Sequence, residues 1–302
     1  MYFDLDKIKE QVEQVYEEVL AFRRDLHMHP ELSEQEIRTE EKICSRLDAL
    51  QIPYQRGVAG HGVCAVIRGT TADRTVGIRA DIDALPVAEQ TELAYASLNL
   101  GVMHACGHDM HTAILLGTAA ILKQNADTLP GTVKLFFQPS EETIGGAKQM
   151  IDAGCLEDPH VENVIALHVD PMTDLGKLKF TKGCMNAATT EMELTVRGKA
   201  CHGAHPDTGI DVLPPACSIV AALQTIVSRN LAPTTPAVVT VGTFQSGTAK
   251  NVISGEAKLG GTIRALDLDV MAYLKKRVQK IAVDTAEAYG TSCEVFFEDS
   301  YP

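Results

Sequence analysis

The chain has 302 residues, with 27 Lys and Arg against 40 Asp and Glu for a net charge of −13; this length predicts two domains, and the acidic balance excludes a polyanion binder built on clustered cations. With 45% hydrophobic and 22% charged residues, it reads as an ordinary globular protein able to bury a core without a disulfide scaffold. No apolar run reaches the ~18 residues of a membrane span, and the eight cysteines lack a framework spacing, so the expectation is reduced thiols in a cytoplasm, with neither nucleic acid nor membrane as partner.

The N-terminal stretch is charged and amphipathic, without an apolar signal core. Leu5, Ile8, Val12, Val15 and Val19 recur at helical steps. Ser33 and Glu36 have the spacing of a capping box and predict a second helix from Ser33, with Ile43, Leu47 and Leu50 facing inward. Short strands follow over 63–67 and 75–79, and a long polar segment with weak periodicity lies between Asp81 and Gly107. A helix is expected over 109–123, with Ile114, Leu115, Ala119 and Leu122 in the core. Then come a buried strand over 132–137, a helix near 147–153 and an apolar strand over 163–168. Strands alternating with helices indicate an α/β sheet whose chemistry lies beyond the strand ends.

The pattern changes near Cys184. From there the order is strand (190–196), helix (212–229), strand (237–242), strand (257–264), helix (270–288) and strand (292–298). This β-α-β-β-α-β order is the ferredoxin-like arrangement, a self-contained unit of roughly 110 residues. The expected division is therefore an α/β domain over 1–184 and a ferredoxin-like domain over 185–302.

Chemistry-bearing residues gather at the predicted strand ends. Asp81 and Asp83 follow one strand, Glu141 and Glu142 follow another, and His168 closes a third; His104, Cys106, His108, Asp109 and His111 crowd the start of a helix. A loop entering a helix can aim Cys106 and His108 at one point, and thiolate with imidazole suits Zn²⁺, while a mixed set also accepts Mn²⁺, Co²⁺ or Ni²⁺. Two adjacent carboxylates point in different directions, so one can ligate a metal while the other moves a proton. Each element also has a plain structural reading: a buried cysteine with surface histidines, acids at a helix start, a strand-end histidine, turn-forming aspartates. Cys106 as a nucleophile is disfavoured, because His108 is too near in sequence to face it as a separate base. In the second unit, His202 and His205 lie in a Gly-flanked loop, and Asn251 and Arg264 bracket a strand; an Arg fork and an Asn amide suit a carboxylate.

Taken together, seven strings carry a resemblance: FRRDLHMHPELSEQE (22–36), RADIDALPV (79–87), MHACGHDMHTAILLG (103–117), FFQPSEET (136–143), ALHVDP (166–171), RGKACHGAHP (197–206) and NVISGEAKLGGTIRA (251–265). They resemble, in order, the amidohydrolase branch of the aminoacylase/carboxypeptidase metallopeptidase family. The resemblance implies a zinc-peptidase-like α/β catalytic domain with an inserted ferredoxin-like dimerisation or lid domain. It implies two divalent metal ions on Cys106, His108, Glu142 and His168, Glu141 as general acid/base, and Asp83 as a supporting acid. It further implies His202 acting on the reacting carbonyl, Asn251 and Arg264 on the substrate carboxylate, and a homodimer formed through the small domain. The implied activity is metal-dependent cleavage of the amide bond of N-acyl amino acids; the alternatives are a dipeptidase or aminopeptidase of the same family, or a binding and dimerising fragment. Two departures stand out: Ala200 and Cys201 occupy positions where the family usually has two glycines, and the expected C-terminal return to the catalytic domain, with its further histidine ligand, does not follow the small domain.

Overall fold

The computed structural model describes residues 4–143 and 145–300; the outermost residues of both chain ends, which the readings of those ends included, lie outside this range. The described chain divides into two compact units between Leu175 and Gly176, nine residues before the expected boundary at 184.

In the first unit, α1 (Leu5–Met28) begins at Asp4, whose carboxylate accepts from the Asp6 and Lys7 amides at 3.1 and 3.2 Å, satisfying two of the helix's orphan donors. Next come α2 (Ile37–Ala49), β1 (Tyr54–Val58), β2 (Gly62–Arg68), β3 (Thr75–Asp81), α3 (His108–Gln124), β4 (Thr132–Gln138), α4 (Gly146–Asp152) and β5 (Asn163–Ala166). The sheet order is β1-β2-β4-β3-β5. β3 runs parallel to both β4 and β5, while β2 is antiparallel to β4 and to β1.

Every residue of β4 is buried, as expected of a central strand covered on both faces. Val133, Leu135 and Phe137 pack with Ile43 and Leu47 of α2 and Leu115, Leu116 and Ala119 of α3. Phe136 faces the other way, with Cys64, Met150 of α4 and Val161. The helix α1 lies against α3, where a Cβ on Gly117 would stand 2.8 Å from Val19 Cγ2, so a glycine permits the close approach.

Two sequence expectations need correction, and one strand carries no sequence signal. Ser33 and Glu36 do not form a capping box: the amides of Arg38 and Thr39 are capped by the Glu31 carboxylate at 3.0 and 2.8 Å, and α2 starts only at Ile37. Ile114 is exposed rather than in the core, because the buried face of α3 is filled by Ala113, Leu115, Leu116, Ala119 and Ala120. The edge strand β1, with its polar, exposed centre, gives no apolar alternation and was not anticipated.

The second unit contains β6 (Ala188–Arg197), β7 (Cys201–His202), α5 (Leu213–Asn230), β8 (Ala237–Ser246), β9 (Val252–Ile253), β10 (Glu256–Ala265), α6 (Leu268–Ala288) and β11 (Ser292–Asp299). Its four-stranded antiparallel sheet has the order β11-β6-β10-β8, the ferredoxin-like topology expected from the element order. Met192, Leu194 and Val196 alternate inward along β6 and meet Ile219, Leu223 and Ile226 of α5 and Leu274, Val278 and Ala282 of α6, one face of the sheet buried under two helices. No described helix is long and apolar enough to cross a membrane.

Candidate metal centre

The parallel strands β3, β4 and β5 finish at one level. Asp81 stands opposite Gln138 between β3 and β4, and Arg79 opposite Ala166 between β3 and β5. The residues that follow them, Asp83, Glu141, Glu142 and His168, therefore emerge on one edge of the sheet, where ligands bind open α/β sheets. There α3 begins. Gly107, just before it, has φ 80, and a Cβ would meet Val169 Cγ2 at 2.5 Å. Only glycine accepts both the left-handed turn and that approach, and the turn sets Cys106 and His108 on either side of it.

Cys106, His108 and Glu142 each bring a donor atom within 4.8 Å of the others, and so do His108, His111 and His168. The two sets share His108. Its Nδ1 donates to Asp83 Oδ1 at 3.1 Å, which leaves Nε2 as the acceptor nitrogen, 3.6 Å from Asp81 Oδ2 and 3.7 Å from Glu142 Oε1. His168 donates from Nδ1 to its neighbour's carbonyl, Val169 O, at 2.7 Å, again leaving Nε2 free as an acceptor. His111 differs. Its Nδ1 donates to Asp81 Oδ1 at 2.6 Å and its Nε2 accepts the Val169 N–H at 3.0 Å. Both nitrogens are engaged, so His111 braces the loop that carries His168 against Asp81 instead of offering a lone pair.

The supporting shell is dense. Asp83 Oδ2 accepts Ser33 Oγ at 2.7 Å and the Glu142 N–H at 3.0 Å. Asp81 Oδ2 accepts Arg79 Nη1 at 2.7 Å, and its backbone oxygen accepts Thr112 Oγ1 at 2.9 Å. Burial opposes ionisation of Asp81, but the His111 bond and the Arg79 charge prevail and hold it at about 2. Asp83 is also held below its ordinary value: burial works against this, and the bonds from His108, the Glu142 amide and Ser33 outweigh it.

Other groups shift the opposite way. Burial, then the bond and charge of Glu142, push the Cys106 thiol up to about 12. Desolvation and the Glu142 charge raise Glu141. A nucleophilic cysteine needs a depressed value and a cationic neighbourhood, and Cys106 has neither. What the cluster does suit is a cation. Glu142 Oε1 is buried without a hydrogen-bond partner, an orphaned acceptor facing a thiol and an imidazole lone pair, and this sulfur, nitrogen and oxygen set matches divalent first-row metals.

His104 and Asp109, neighbours in sequence, belong elsewhere. Asp109 takes an ion pair from Arg23 at 2.7 Å and His27 Nδ1 at 2.8 Å, both from α1. His104 is buried, with burial lowering it to about 4. The sequence places Asp81 with Asp83 at a strand end but assigns no role to Arg79 or His111; the signals for these are a position two residues before Asp81 and one helical turn beyond the Cys-Gly-His turn.

In the second unit, β7 and β9 pair His202 with Val252 and Cys201 with Ile253, and Gly203 N donates to Asn251 O at 2.7 Å. His202 is exposed, and its Nδ1 accepts the Ala204 N–H at 3.1 Å. The fold thus brings His202 and Asn251 together. Arg264 is exposed near the far end of β10, eight residues beyond Glu256, or roughly 26 Å along the strand.

The model of Peptidase family M20/M25/M40 matches residues 77–295. An N-acyl-L-amino acid amidohydrolase of Geobacillus stearothermophilus is 39% identical over 297 residues, covering 98% of this chain and 80% of that protein. The thermostable carboxypeptidase 1 of Saccharolobus solfataricus is 38% identical over 302 residues, covering 99% of this chain and 76% of that protein. Among solved structures, the Bacillus subtilis YXEP protein, described as a dinuclear metal binding peptidase from the M20 family, superposes with a TM-score of 0.84 at 35% identity, over 96% of this chain and 75% of that one. The parallel strand ends, the Cys-Gly-His turn and the glutamate pair therefore sit in a chain that belongs to peptidase family M20/M25/M40, a family of metal-dependent hydrolases of amide bonds.

Proposed function

We propose that the protein cleaves the amide bond of N-acylated amino acids, using two divalent cations held by Cys106, His108, Glu142 and His168. The observation that carries this reading is the donor set of Cys106, His108 and Glu142 with its orphaned Glu142 Oε1, together with a His168 donor atom within 4.8 Å of one on His108. The names of its relatives accord with this substrate class: besides the amidohydrolase above, an N-acetyldiaminopimelate deacetylase of Geobacillus thermodenitrificans is 37% identical over 282 residues.

Divalent cations, when bound, supply Lewis acidity that makes water more acidic and polarises a carbonyl. The chain's own residues do the rest. Asp83 fixes the His108 tautomer so that Nε2 faces the donors. Glu141, raised by desolvation and by Glu142, takes a proton from the attacking water and returns it to the leaving amine nitrogen. With Nδ1 accepting from Ala204, His202 carries its proton on Nε2 and donates to the carbonyl oxygen as negative charge builds. Asn251, next to His202, and Arg264 bind the substrate carboxylate. Homodimerisation through the small unit belongs to the same reading. The exposed edge strands β8 and β11 are the surfaces offered for that pairing.

A panel of N-acetyl and N-benzoyl amino acids assayed with Zn²⁺, Mn²⁺ and Co²⁺ tests the reaction. Because a carboxypeptidase is among the relatives, peptides with free α-amino groups belong in the panel; preference for these over N-acylated substrates would replace the proposal with the peptidase reading. Light scattering that shows only monomer at high concentration would remove the dimer.

A further inference from the structure

Glu36 is fully buried, yet it caps no helix through its side chain. Its Oε1 accepts the backbone N–H of Ser140 at 2.8 Å and lies 3.5 Å from Ser140 Oγ. That hydroxyl in turn accepts the Glu34 N–H at 3.0 Å. Ser140 has φ 55, a left-handed conformation that a residue with a Cβ adopts only when its surroundings enforce it. This is the residue at which the chain leaves β4 and turns into Glu141 and Glu142. Downstream, the turn is closed by Gly146 N donating to Ser140 O at 3.2 Å, and by Glu142 N donating to Asp83 Oδ2 at 3.0 Å.

We propose that Glu36 is a positioning residue for the metal centre: by holding Ser140 in its left-handed turn it aims Glu142 at the cation and Glu141 at the reacting water. The inference rests on the metal-hydrolase reading above and adds a residue that touches neither metal nor substrate. The second carboxyl oxygen of Glu36, Oε2, is buried and without a hydrogen-bond partner. Burial pushes the carboxyl upward from its ordinary value; a glutamine keeps the acceptor oxygen that the Ser140 N–H needs, whereas an aliphatic side chain of similar size does not.

The test uses the whole chain, stripped of metal and titrated with Zn²⁺ against a chromophoric chelator, at a temperature where circular dichroism shows each variant folded. Glu36→Leu fills the same space without an acceptor, with Glu36→Ala taking its place if the leucine variant does not fold. It is expected to bind Zn²⁺ about 10-fold or more weakly, the size of loss that follows removal of outer-sphere support, and to lose kcat by more than KM rises. Glu36→Gln keeps an acceptor for the Ser140 N–H and is expected to stay within about threefold of wild type, well inside that loss. Adding Ser140→Gly to Glu36→Leu is expected to recover most of the affinity, because glycine takes the left-handed turn unaided. Wild-type zinc affinity in Glu36→Leu, equal losses in the leucine and glutamine variants, or no rescue by glycine would each overturn the proposal. Zinc binding is read whether or not N-acyl amino acids are turned over, so an inactive wild type would remove only the substrate reading.

Discussion

His111 and Asp81 form a buried pair, with His111 Nδ1 2.6 Å from Asp81 Oδ1 while the opposite ring nitrogen accepts the Val169 N–H at 3.0 Å. The pair ties the end of β3 to the loop that carries His168, so one imidazole links two walls of the centre without spending a lone pair on the metal. Replacing His111 with Ala is expected to leave Cys106, His108 and Glu142 in place but to release His168. Zinc titration should show a loss of about 10–100-fold, as for other outer-sphere partners, concentrated in the weaker of two binding events. Two unchanged binding events would show that the brace does not matter.

Glu141→Gln removes the proton carrier and keeps the shape. The expected result is metal content equal to wild type with kcat lowered by about 10²–10⁴, the range attributed to general acid–base catalysis. Metal analysis and steady-state kinetics on the same preparation check this. Wild-type turnover in the variant would end the assignment.

The low value of Asp81 makes stability depend on acid. The folded protein holds its carboxyl at about 2 against an ordinary 3.8. A depressed folded value contributes stability that is complete above the unfolded value and is lost as pH falls from near 4 through about 2. For this buried group the difference is worth about 2 kcal/mol. Urea unfolding of the metal-free protein at pH 5 and pH 2.5 should therefore show a smaller acid loss in Asp81→Asn than in wild type, by an amount of that order. Equal acid losses in the two proteins would contradict the pairing.

Gly107→Ala tests the turn between Cys106 and His108. At φ 80, with Val169 Cγ2 2.5 Å from the new Cβ, the substitution costs about 1–2 kcal/mol for the left-handed backbone alone, and more for the clash. Zinc affinity and thermal midpoint should fall together. A variant that binds zinc as tightly as wild type would show that the turn tolerates a side chain.

Much of the centre is legible in the chain because its parts are local. Asp81 ends one strand, Glu142 and His168 follow two others, and the Cys-Gly-His turn lies next to its helix, so strand ends and one turn suffice to locate them. The small unit is legible for a similar reason: its six main elements alternate with the right periods and close into one sheet. What is not legible is long-range. Ser33 and Glu36 have capping-box spacing, but Asp83 and the Ser140 amide, 50 and 104 positions away, claim their side chains, and Glu31 takes over the cap. His111 reads like its neighbours until the partners of both its nitrogens are seen, and those lie 30 and 58 positions away. His104 and Asp109 lie within the same motif yet are set apart from the donors, Asp109 by Arg23 and His27 of α1.

The central claim is that Cys106, His108 and Glu142 hold a cation, and cobalt substitution tests it most directly. The metal-free protein titrated with Co²⁺ should develop a thiolate-to-cobalt charge-transfer absorption. That band should be absent in Cys106→Ser and require more cobalt to appear in Glu142→Gln. A protein that takes up no cobalt, or a band that survives Cys106→Ser, would contradict the account.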